Sequence, residues 1–258
     1  MAPRQRFLLI AVVALAAIAI SAQVALSSPW LGLELSPHDG PEGLRVDRVH
    51  PDSPNAGVIR VGSVIVGLQA ADGRQIPLHG NLVMEEPDLL SHTDLNLFMK
   101  RQTELDQALR SGGARFVLAS GDQVPVVAID TPWRQLSDGF SIHTFYGLIA
   151  LLVAVGIWAF RPKSAATRLY ALSGVATMVN TLTLAIYGDR EFVLSGDVFA
   201  VVSAVNHLAT LMVNASLVSL FWVYPRPLAR FPVPALMICI ALIMWVLSEL
   251  QVGESAQV

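Results

Sequence analysis

Charged residues are scarce in this chain. They make up 14% of its 258 residues, whereas hydrophobic residues make up 53%, and an average soluble domain has roughly 25% charged residues. This composition excludes an ordinary cytosolic globular protein. The charges are also unevenly spread, because 24 of the 37 lie between Leu31 and Asp138. The sequence therefore predicts one soluble segment inside a membrane protein.

Basic residues and cysteines are few as well. Between Leu31 and Asp138 there are 15 acidic residues against 9 basic ones. A nucleic-acid partner requires a basic surface, so we expect no nucleic acid. Cys239 is the only cysteine, which excludes an internal disulfide, a CxxC redox pair and a thiolate zinc site.

Motifs for proteolysis are also missing. An intramembrane metalloprotease needs HExxH, in which two histidines share a metal and the glutamate activates water, and no such pentad occurs. The Ser-Gly pairs at Ser173 and Ser195 lack the context of a rhomboid-type serine loop, and the chain has no room for a complete Ser-His-Asp domain. No two of the six histidines lie at i+3 or i+4 spacing. We therefore expect no catalytic residue, metal or cofactor in this chain, and a membrane-protease component is a remote alternative.

Long uncharged apolar runs predict five membrane spans. The first is at 7–26, preceded by Arg4 and Arg6, and a helix of about 20 residues spans the roughly 30 Å of hydrocarbon. A cleavable signal peptide has the same pattern and is the alternative, but both export the segment that follows. The other four spans are predicted at 142–160, 169–187, 198–224 and 233–250.

Lysine and arginine in the short connections predict the orientation of the spans. Two connections are basic and are therefore predicted to be cytoplasmic; their basic residues are Arg161, Lys163, Arg168, Arg226 and Arg230. The connection at 188–197 has only Arg190 against three acidic residues, so it is predicted to be external together with the soluble segment. Five spans also place the C-terminal tail outside with no output domain after it. We therefore expect the N-terminal part of a longer protein; a complete five-span protein is the alternative.

Alternating apolar and polar residues predict strands in the soluble segment. One helical face formed by Leu95, Phe98, Leu105 and Leu109 predicts an amphipathic helix over 93–110. The segment is therefore expected to be an α+β domain. The predicted strands are bounded by Gly, Pro or Asp and lie at 31–35, 44–49 and 61–68, followed by a closing hairpin at 115–118 and 124–129.

Several stretches of this segment, in order, resemble a bacterial PDZ domain. They are Trp30-Leu31-Gly32-Leu33-Glu34-Leu35, Gly43-Leu44-Arg45-Val46, and the run 52–65 that begins Asp52-Ser53-Pro54-Asn55-Ala56-Gly57. In that family an apolar-Gly-apolar loop precedes a strand, and the last run forms a short helix, a turn and a strand. Ser63 replaces the family's usual Asp, and 77–92 is a long insertion. The resemblance covers about residues 30–130.

The PDZ resemblance implies capture of an extended peptide by strand addition, with a terminal carboxylate bound by backbone N–H groups of the loop. The implied peptide-binding residues are Leu31, Gly32, Leu33, Leu35, Leu97, Phe98 and Arg101. The alternative is that these are strand, turn and core residues of a domain whose groove binds nothing. Pro37 and Asp39 favour that alternative, because proline cannot donate a ladder hydrogen bond and would shorten an edge strand.

Polar residues inside the predicted spans form a second candidate site. They are Asn180, Asn206, His207 and Asn214. Polar residues at membrane depth generally face a bundle interior or a wet cavity and are functional by default. Hydrogen bonding between helices is the alternative and needs no further function.

The order of the parts resembles the sensor region of competence-type (ComP-like) membrane histidine kinases. That family has one anchor, an external PDZ-like domain and a multi-span bundle before a kinase, which is absent here; the turn Leu220-Phe221-Trp222-Val223-Tyr224-Pro225-Arg226-Pro227-Leu228 adds to the likeness. The corresponding division is an anchor at 1–29, an exported α+β PDZ-like domain at 30–138 and an α-helical transmembrane bundle at 139–258.

This second resemblance implies the sensory input module of a signal-transduction protein in the bacterial inner membrane, with the PDZ-like domain extracytoplasmic. The implied partners are an extracytoplasmic peptide or protein C-terminus, the lipid bilayer and a second copy of the chain in a homodimer. The alternative is a stand-alone membrane-anchored binding module that recruits envelope proteins.

Overall fold

The computed structural model describes residues 2–38, 43–84, 87, 90–188, 190–226, 228 and 232–255. The chain divides into two compact units. The helical unit comprises Met1–Gln23, Ser137–Ile186 and Val201–Val258, and the sheet unit comprises Val24–Leu136 and Tyr187–Ala200. Three charged residues used in the sequence arguments, Asp39, Asp189 and Arg230, lie outside the described residues.

Six α-helices occur in the described part of the chain: α1 Pro3–Leu26, α2 His92–Arg110, α3 Asp138–Phe160, α4 Ala165–Tyr187, α5 Gly196–Val223 and α6 Val233–Ser255. Five of these helices, all except α2, are long and apolar enough to cross a membrane. Each predicted span falls within one of them to within one residue. The five apolar helices are therefore confirmed, and they are compatible with a multi-pass membrane protein.

The helical unit packs through apolar and small side chains. Leu151 of α3 and Leu182 of α4 share a buried cluster with Ala14 of α1. Gly147 of α3 lies so close to α4 that an added Cβ would come within 2.0 Å of Thr181 Oγ1. Small residues at such contacts let helix backbones approach closely, which favours association of apolar helices where water does not drive it.

The sheet unit contains eight short strands in its described residues: β1 Pro29–Trp30, β2 Leu33–Pro37, β3 Leu44–Val49, β4 Val64–Gln69, β5 Gln75–Pro77, β6 Arg115–Leu118, β7 Gln123–Pro125 and β8 Ile129–Asp130. The main antiparallel sheet has the order β2-β3-β4-β6-β7, with β5 also paired to β4, while β1 pairs with β8. Strand β2 is thus an edge strand. Alternating inward residues such as Leu44 and Val46 are fully buried, as is Phe98 of α2.

The predicted strands and helix all correspond to elements of this unit, but some bounds differ. β2 and β4 begin at Leu33 and Val64 rather than at 31 and 61, and the predicted strand at 124–129 is divided between β7 and β8. β3 and β6 have the predicted bounds, and α2 begins one residue before the predicted start. The short helix implied for the run after Asp52 does not form; that stretch consists of consecutive turns. The reason is partly local and partly long-range. Gly57 adopts φ +79°, and the Asn55 side chain bonds to the distant backbone of Leu31 and Val127 instead of supporting a helix.

The division into units differs from the predicted domain limits. Met1–Gln23 belongs to the same unit as the later apolar helices, residues 24–29 belong to the sheet unit, and so does one connection between apolar helices. The segment Tyr187–Ala200, which we call the inserted segment, was assigned to the bundle at 139–258 because it joins two apolar helices. It instead belongs to the sheet unit. The cause is a set of hydrogen bonds and aromatic contacts that only the folded chain provides, and these define the site below.

Candidate carboxylate-binding site

Residues 31–33, which we call the 31–33 loop, precede β2 and present backbone N–H groups. Their carbonyl oxygens are engaged elsewhere. Leu31 O accepts hydrogen bonds from Ser53 Oγ at 2.6 Å and from Asn55 Nδ2 at 2.9 Å, and Gly32 O accepts one from His50 N at 2.8 Å. The bonds to Leu31 O orient the peptide group that carries the Gly32 N–H, and the bond to Gly32 O orients the one that carries the Leu33 N–H. The N–H groups of the loop therefore face a different acceptor.

That acceptor is the carboxylate of Glu191 in the inserted segment. Leu31 N donates to Glu191 Oε2 at 2.7 Å, and Leu33 N donates to Oε1 at 2.5 Å. Each oxygen thus receives one of these two backbone N–H groups, and the Gly32 N–H between them also interacts favourably with the carboxylate. Successive backbone N–H groups directed at one anion form a typical binding site for a carboxylate.

Burial controls the ionisation of this carboxyl. Desolvation raises the pKa of Glu191 from 4.5 to about 7, and it outweighs the backbone hydrogen bonds from Leu31, Leu33 and Gly32, which lower the pKa. The contact therefore titrates near neutral pH rather than in the usual acidic range of a glutamate.

The raised pKa of Glu191 predicts that the folded protein, in which this side chain is docked on the loop, becomes less stable as pH rises. A carboxyl with a raised pKa in the folded protein stabilises it fully below about pH 4.5, and this contribution is lost as pH rises through about 7. The loss is at most about 3 kcal/mol. Thermal unfolding of the full chain in detergent at pH 5.5 and pH 8 should show this dependence.

The Glu191→Gln variant isolates the contribution of this group, because the amide does not titrate. Glu34 and Arg190, the other charged side chains of the adjoining cleft, are present in both proteins, so their effects cancel in the difference. The pH dependence should be smaller in Glu191→Gln than in the parent. Identical pH dependence in the two proteins would contradict the assignment.

Helix α2 holds the inserted segment through two polar side chains. Gln102 Oε1 accepts a hydrogen bond from Leu194 N at 3.0 Å, and Thr103 Oγ1 accepts one from Gly196 N at 3.1 Å. Gln102 is fully buried and also donates through Nε2 to Leu82 O at 3.2 Å. The side chain therefore satisfies backbone groups on both sides of itself, as a buried amide must.

Arg190 fixes the segment from a second direction. Its guanidinium donates to Met84 O at 2.6 Å and to Tyr187 O. It also lies over the rings of Phe98 and Phe199, at 5.5 and 5.2 Å from their centroids, and these two rings pack edge to face at 5.3 Å. Cation–π and aromatic contacts of this kind stabilise by about 1 kcal/mol each.

A cleft of about 310 Å³ adjoins the bound carboxylate. Its volume falls in the lower part of the range for small-molecule and side-chain pockets, about 300–1,000 Å³. Residues of β2, of the inserted segment and one residue from the stretch between β5 and α2 line it: Leu33, Glu34, Leu35, Val83, Gly188, Arg190, Glu191 and Phe192.

The structure places the predicted peptide-binding residues in two groups. The first group adjoins the inserted segment: Leu31, Gly32 and Leu33 form the loop around Glu191, Leu35 lines the cleft and Phe98 meets Arg190. The second group does not share these contacts. Leu97 is 48% exposed, and Arg101 donates to Pro77 O of β5 at 3.4 Å. The next two residues of α2, Gln102 and Thr103, contact the segment instead.

Sequence reasoning missed Glu191, Arg190, Asn55, Gln102 and Thr103 as members of this site. Glu191 counted only as an external acidic charge. The one signal that could have found it is the apolar run Phe192-Val193-Leu194 directly after it, since a short polar connection between two helices has no need of three consecutive apolar residues unless they are buried.

The polar residues predicted to lie inside the spans hydrogen-bond mainly between helices. Asn206 Nδ2 of α5 donates to Asn180 O and Thr183 Oγ1 of α4 at 3.0 and 2.9 Å, and Asn180 Nδ2 donates to Thr210 Oγ1 at 2.7 Å. His207 Nδ1 lies 3.6 Å from Glu249 Oε1 of α6. These contacts correspond to the interhelical alternative. Asn214 is exposed and donates to Thr210 O of its own helix at 3.0 Å.

Removal of the Asn206 side chain should weaken the helical unit. Asn206→Ala loses two hydrogen bonds between α5 and α4, and such bonds contribute about 1 kcal/mol in membrane proteins. Unfolding of the full chain in mixed micelles at increasing SDS measures the change. Asn214→Ala is the matched control, because it removes an exposed asparagine bonded within its own helix; a loss as large as that of Asn206→Ala would contradict the interhelical role.

In the part of the chain that the structure describes, no group of three or more His, Cys, Asp or Glu side chains could hold a metal ion. No family model, curated protein or solved structure matches the chain. The class of this protein is therefore described from its own fold and site. Among its described residues the chain has five helices long and apolar enough to cross a membrane, together with an α+β unit in which a backbone loop binds the Glu191 carboxylate.

Proposed function

We propose that this chain is the sensory input module of a bacterial inner-membrane signal-transduction protein, in which a PDZ-like sheet unit captures a peptide or protein C-terminus outside the cytoplasm. The observation that carries the proposal is the chemistry of the 31–33 loop. Two of its N–H groups bind the two oxygens of one carboxylate, which is the contact that a terminal carboxylate makes in strand-addition recognition.

The neighbouring structure supports an extended ligand. β2 follows the loop directly and is an edge strand, so one side of its backbone is not paired within the main sheet. Leu33 and Leu35 line the cleft beside it. An edge strand offers main-chain hydrogen bonds to an added peptide, and the adjacent cleft, whose lining includes Glu34 and Arg190 as well as the two leucines, accommodates its side chains.

Signalling is favoured over a passive anchor because the inserted segment belongs to the sheet unit and also connects two apolar helices. It packs in the sheet unit, yet it joins α4 to α5 in the chain, so a ligand that acts on it acts on the connection between two of the apolar helices. A module that only recruits envelope proteins needs no such link. The resemblance to the sensor region of competence-type kinases supports a kinase as the output of a longer parent protein.

Peptide binding to the full chain in nanodiscs tests the proposal. The probes are two pools of N-terminally labelled heptapeptides of identical sequences, one with free C-terminal carboxylates and one with C-terminal amides. Hydrogen bonds to a charged group contribute about 1.5–3 kcal/mol, so we expect about tenfold tighter binding of the carboxylate pool. Equal binding of both pools, by the parent and also by a Glu191→Ala variant whose loop lacks the Glu191 acceptor, would refute carboxylate capture.

A further inference from the structure

We propose that the inserted segment is an internal ligand of the 31–33 loop, and that Glu191 occupies the position of the external peptide's terminal carboxylate, which must displace it. This inference rests on the proposed function, because it names the competing occupant of the same site. The contact is thus autoinhibitory: it keeps the site closed until a carboxylate-bearing peptide of sufficient affinity displaces Glu191.

The two carboxylates exclude each other. Leu31 N and Leu33 N are each one donor, and both donate to Glu191 at 2.7 and 2.5 Å. The carbonyl side of the loop is held by Ser53 and Asn55, so the loop cannot turn to offer other groups. A second carboxylate can therefore bind these N–H groups only after Glu191 leaves them.

The likeness of the segment to a bound peptide extends beyond the carboxylate of Glu191. The side chains of Phe192, Val193 and Leu194 directly after Glu191 are at most 3% exposed. The backbone of Leu194 is held by Gln102 of α2. The segment thus occupies the loop that the PDZ resemblance assigns to a peptide, and it contacts α2 at Gln102, Thr103 and Phe98 rather than at Leu97 and Arg101.

Two features make Glu191 a displaceable occupant. Desolvation raises its pKa to about 7, which means that the ionised side chain is less favourable in the loop than in water. A cleft of about 310 Å³ also adjoins the carboxylate, so an incoming chain has an approach to the loop before the segment has fully left.

Displacement would change the link between two apolar helices. α4 ends at Tyr187 and α5 begins at Gly196, and the chain between them contains Glu191. Release of Glu191 removes one tie of the segment to the sheet unit and leaves those made by Gln102, Thr103 and Arg190. The connected ends of the two helices thereby lose one constraint. A ligand shifts such an equilibrium only by its preference for the open form, and direct competition supplies that preference.

Two measurements on the full chain in nanodiscs test the inference, using the parent and Glu191→Ala. The first is hydrogen exchange at the amides of Leu31 and Leu33, which should be faster in the variant because their acceptor is gone. The second is binding of the carboxylate heptapeptide pool. It should be about tenfold tighter or more in the variant, since apparent affinity falls with the fraction of closed site.

Two further variants control for folding and charge. Glu191→Gln keeps the size of the side chain but can accept only one of the two hydrogen bonds, so intermediate values are expected in both measurements. Asp197→Asn removes an exposed acidic charge from the same segment and should leave both measurements at the values of the parent.

The outcomes separate the inference from the proposed function. Faster exchange with tighter carboxylate binding in Glu191→Ala supports both. Carboxylate-selective binding that is equal in the parent and Glu191→Ala supports the proposed function and overturns the internal ligand. Unchanged exchange at Leu31 and Leu33 also overturns the internal ligand. Absence of carboxylate-selective binding in both proteins overturns the proposed function and the inference together.

Discussion

Replacing Gly32 by alanine is expected to destabilise the sheet unit by about 3 kcal/mol or more. Gly32 has φ +70°, a left-handed conformation that costs a residue with a side chain roughly 1–2 kcal/mol. An added Cβ would also lie 2.5 Å from Ser53 Cβ and 2.8 Å from Ser53 Cα, so backbone has to move. Thermal unfolding of the full chain in detergent measures the loss.

Gly57→Ala is the matched control for this prediction. Gly57 has a similar φ of +79°, but nothing lies within 4 Å of an added Cβ. It should therefore show only the backbone cost of about 1–2 kcal/mol. Equal losses in the two variants would show that the close approach to Ser53 does not restrain the loop.

The same geometry decides how the site should be probed. A bulky substitution such as Gly32→Glu is an attractive way to block a carboxylate from the loop, but its Cβ meets the backbone of Ser53 and would unfold the region as well. Glu191 is the better position to vary, because its side chain reaches the loop from the inserted segment and leaves the loop backbone intact.

Asn55→Ala is expected to destabilise the sheet unit by about 3 kcal/mol. Asn55 is 1% exposed; it donates to Leu31 O and Val127 O, both at 2.9 Å, and accepts from Val127 N at 2.8 Å. Alanine leaves these partly buried backbone groups without that partner, and each such group costs about 1–3 kcal/mol. Thermal unfolding of the full chain again measures the change.

Two comparisons keep this second prediction specific. Asn55→Asp retains an oxygen for Val127 N but loses both donated hydrogen bonds, so it should also be strongly destabilised. Gln123→Ala removes an exposed amide from β7 and should change stability by less than about 0.5 kcal/mol. A small effect of Asn55→Ala, within the range of Gln123→Ala, would contradict a structural role for the Asn55 side chain.

The elements that depend on interactions between residues near in sequence could be predicted, whereas those that depend on residues distant in sequence could not. The apolar helices, the helix α2 and strands such as β3 are specified by the order of neighbouring residues, because hydrophobic periodicity and run length act over a few turns of chain. The turns at Ser53–Ile59 were harder to predict, because what prevents a short helix there includes hydrogen bonds from Asn55 to Leu31 and Val127, which are distant in sequence.

Only the part of the candidate site that consists of neighbouring residues in the sequence could be predicted. The apolar-Gly-apolar pattern of the 31–33 loop is visible in the sequence, and so is the helix that contains Phe98. Their partner Glu191 lies 160 residues from Leu31, and no periodicity links the two. The choice of Gln102 and Thr103 rather than Leu97 and Arg101 likewise depends on which face of α2 meets the inserted segment.

The sequence by itself therefore determined the class of the molecule, namely five apolar helices and one acidic α+β segment, because composition and periodicity decide which residues avoid water. Only the tertiary structure decided that the connection between α4 and α5 belongs to the sheet unit and that its carboxylate sits on the 31–33 loop. The physical reason is that hydrogen bonds between backbone N–H groups and a distant side chain depend on positions in space, and every residue of the loop offers the same backbone groups whatever its side chain.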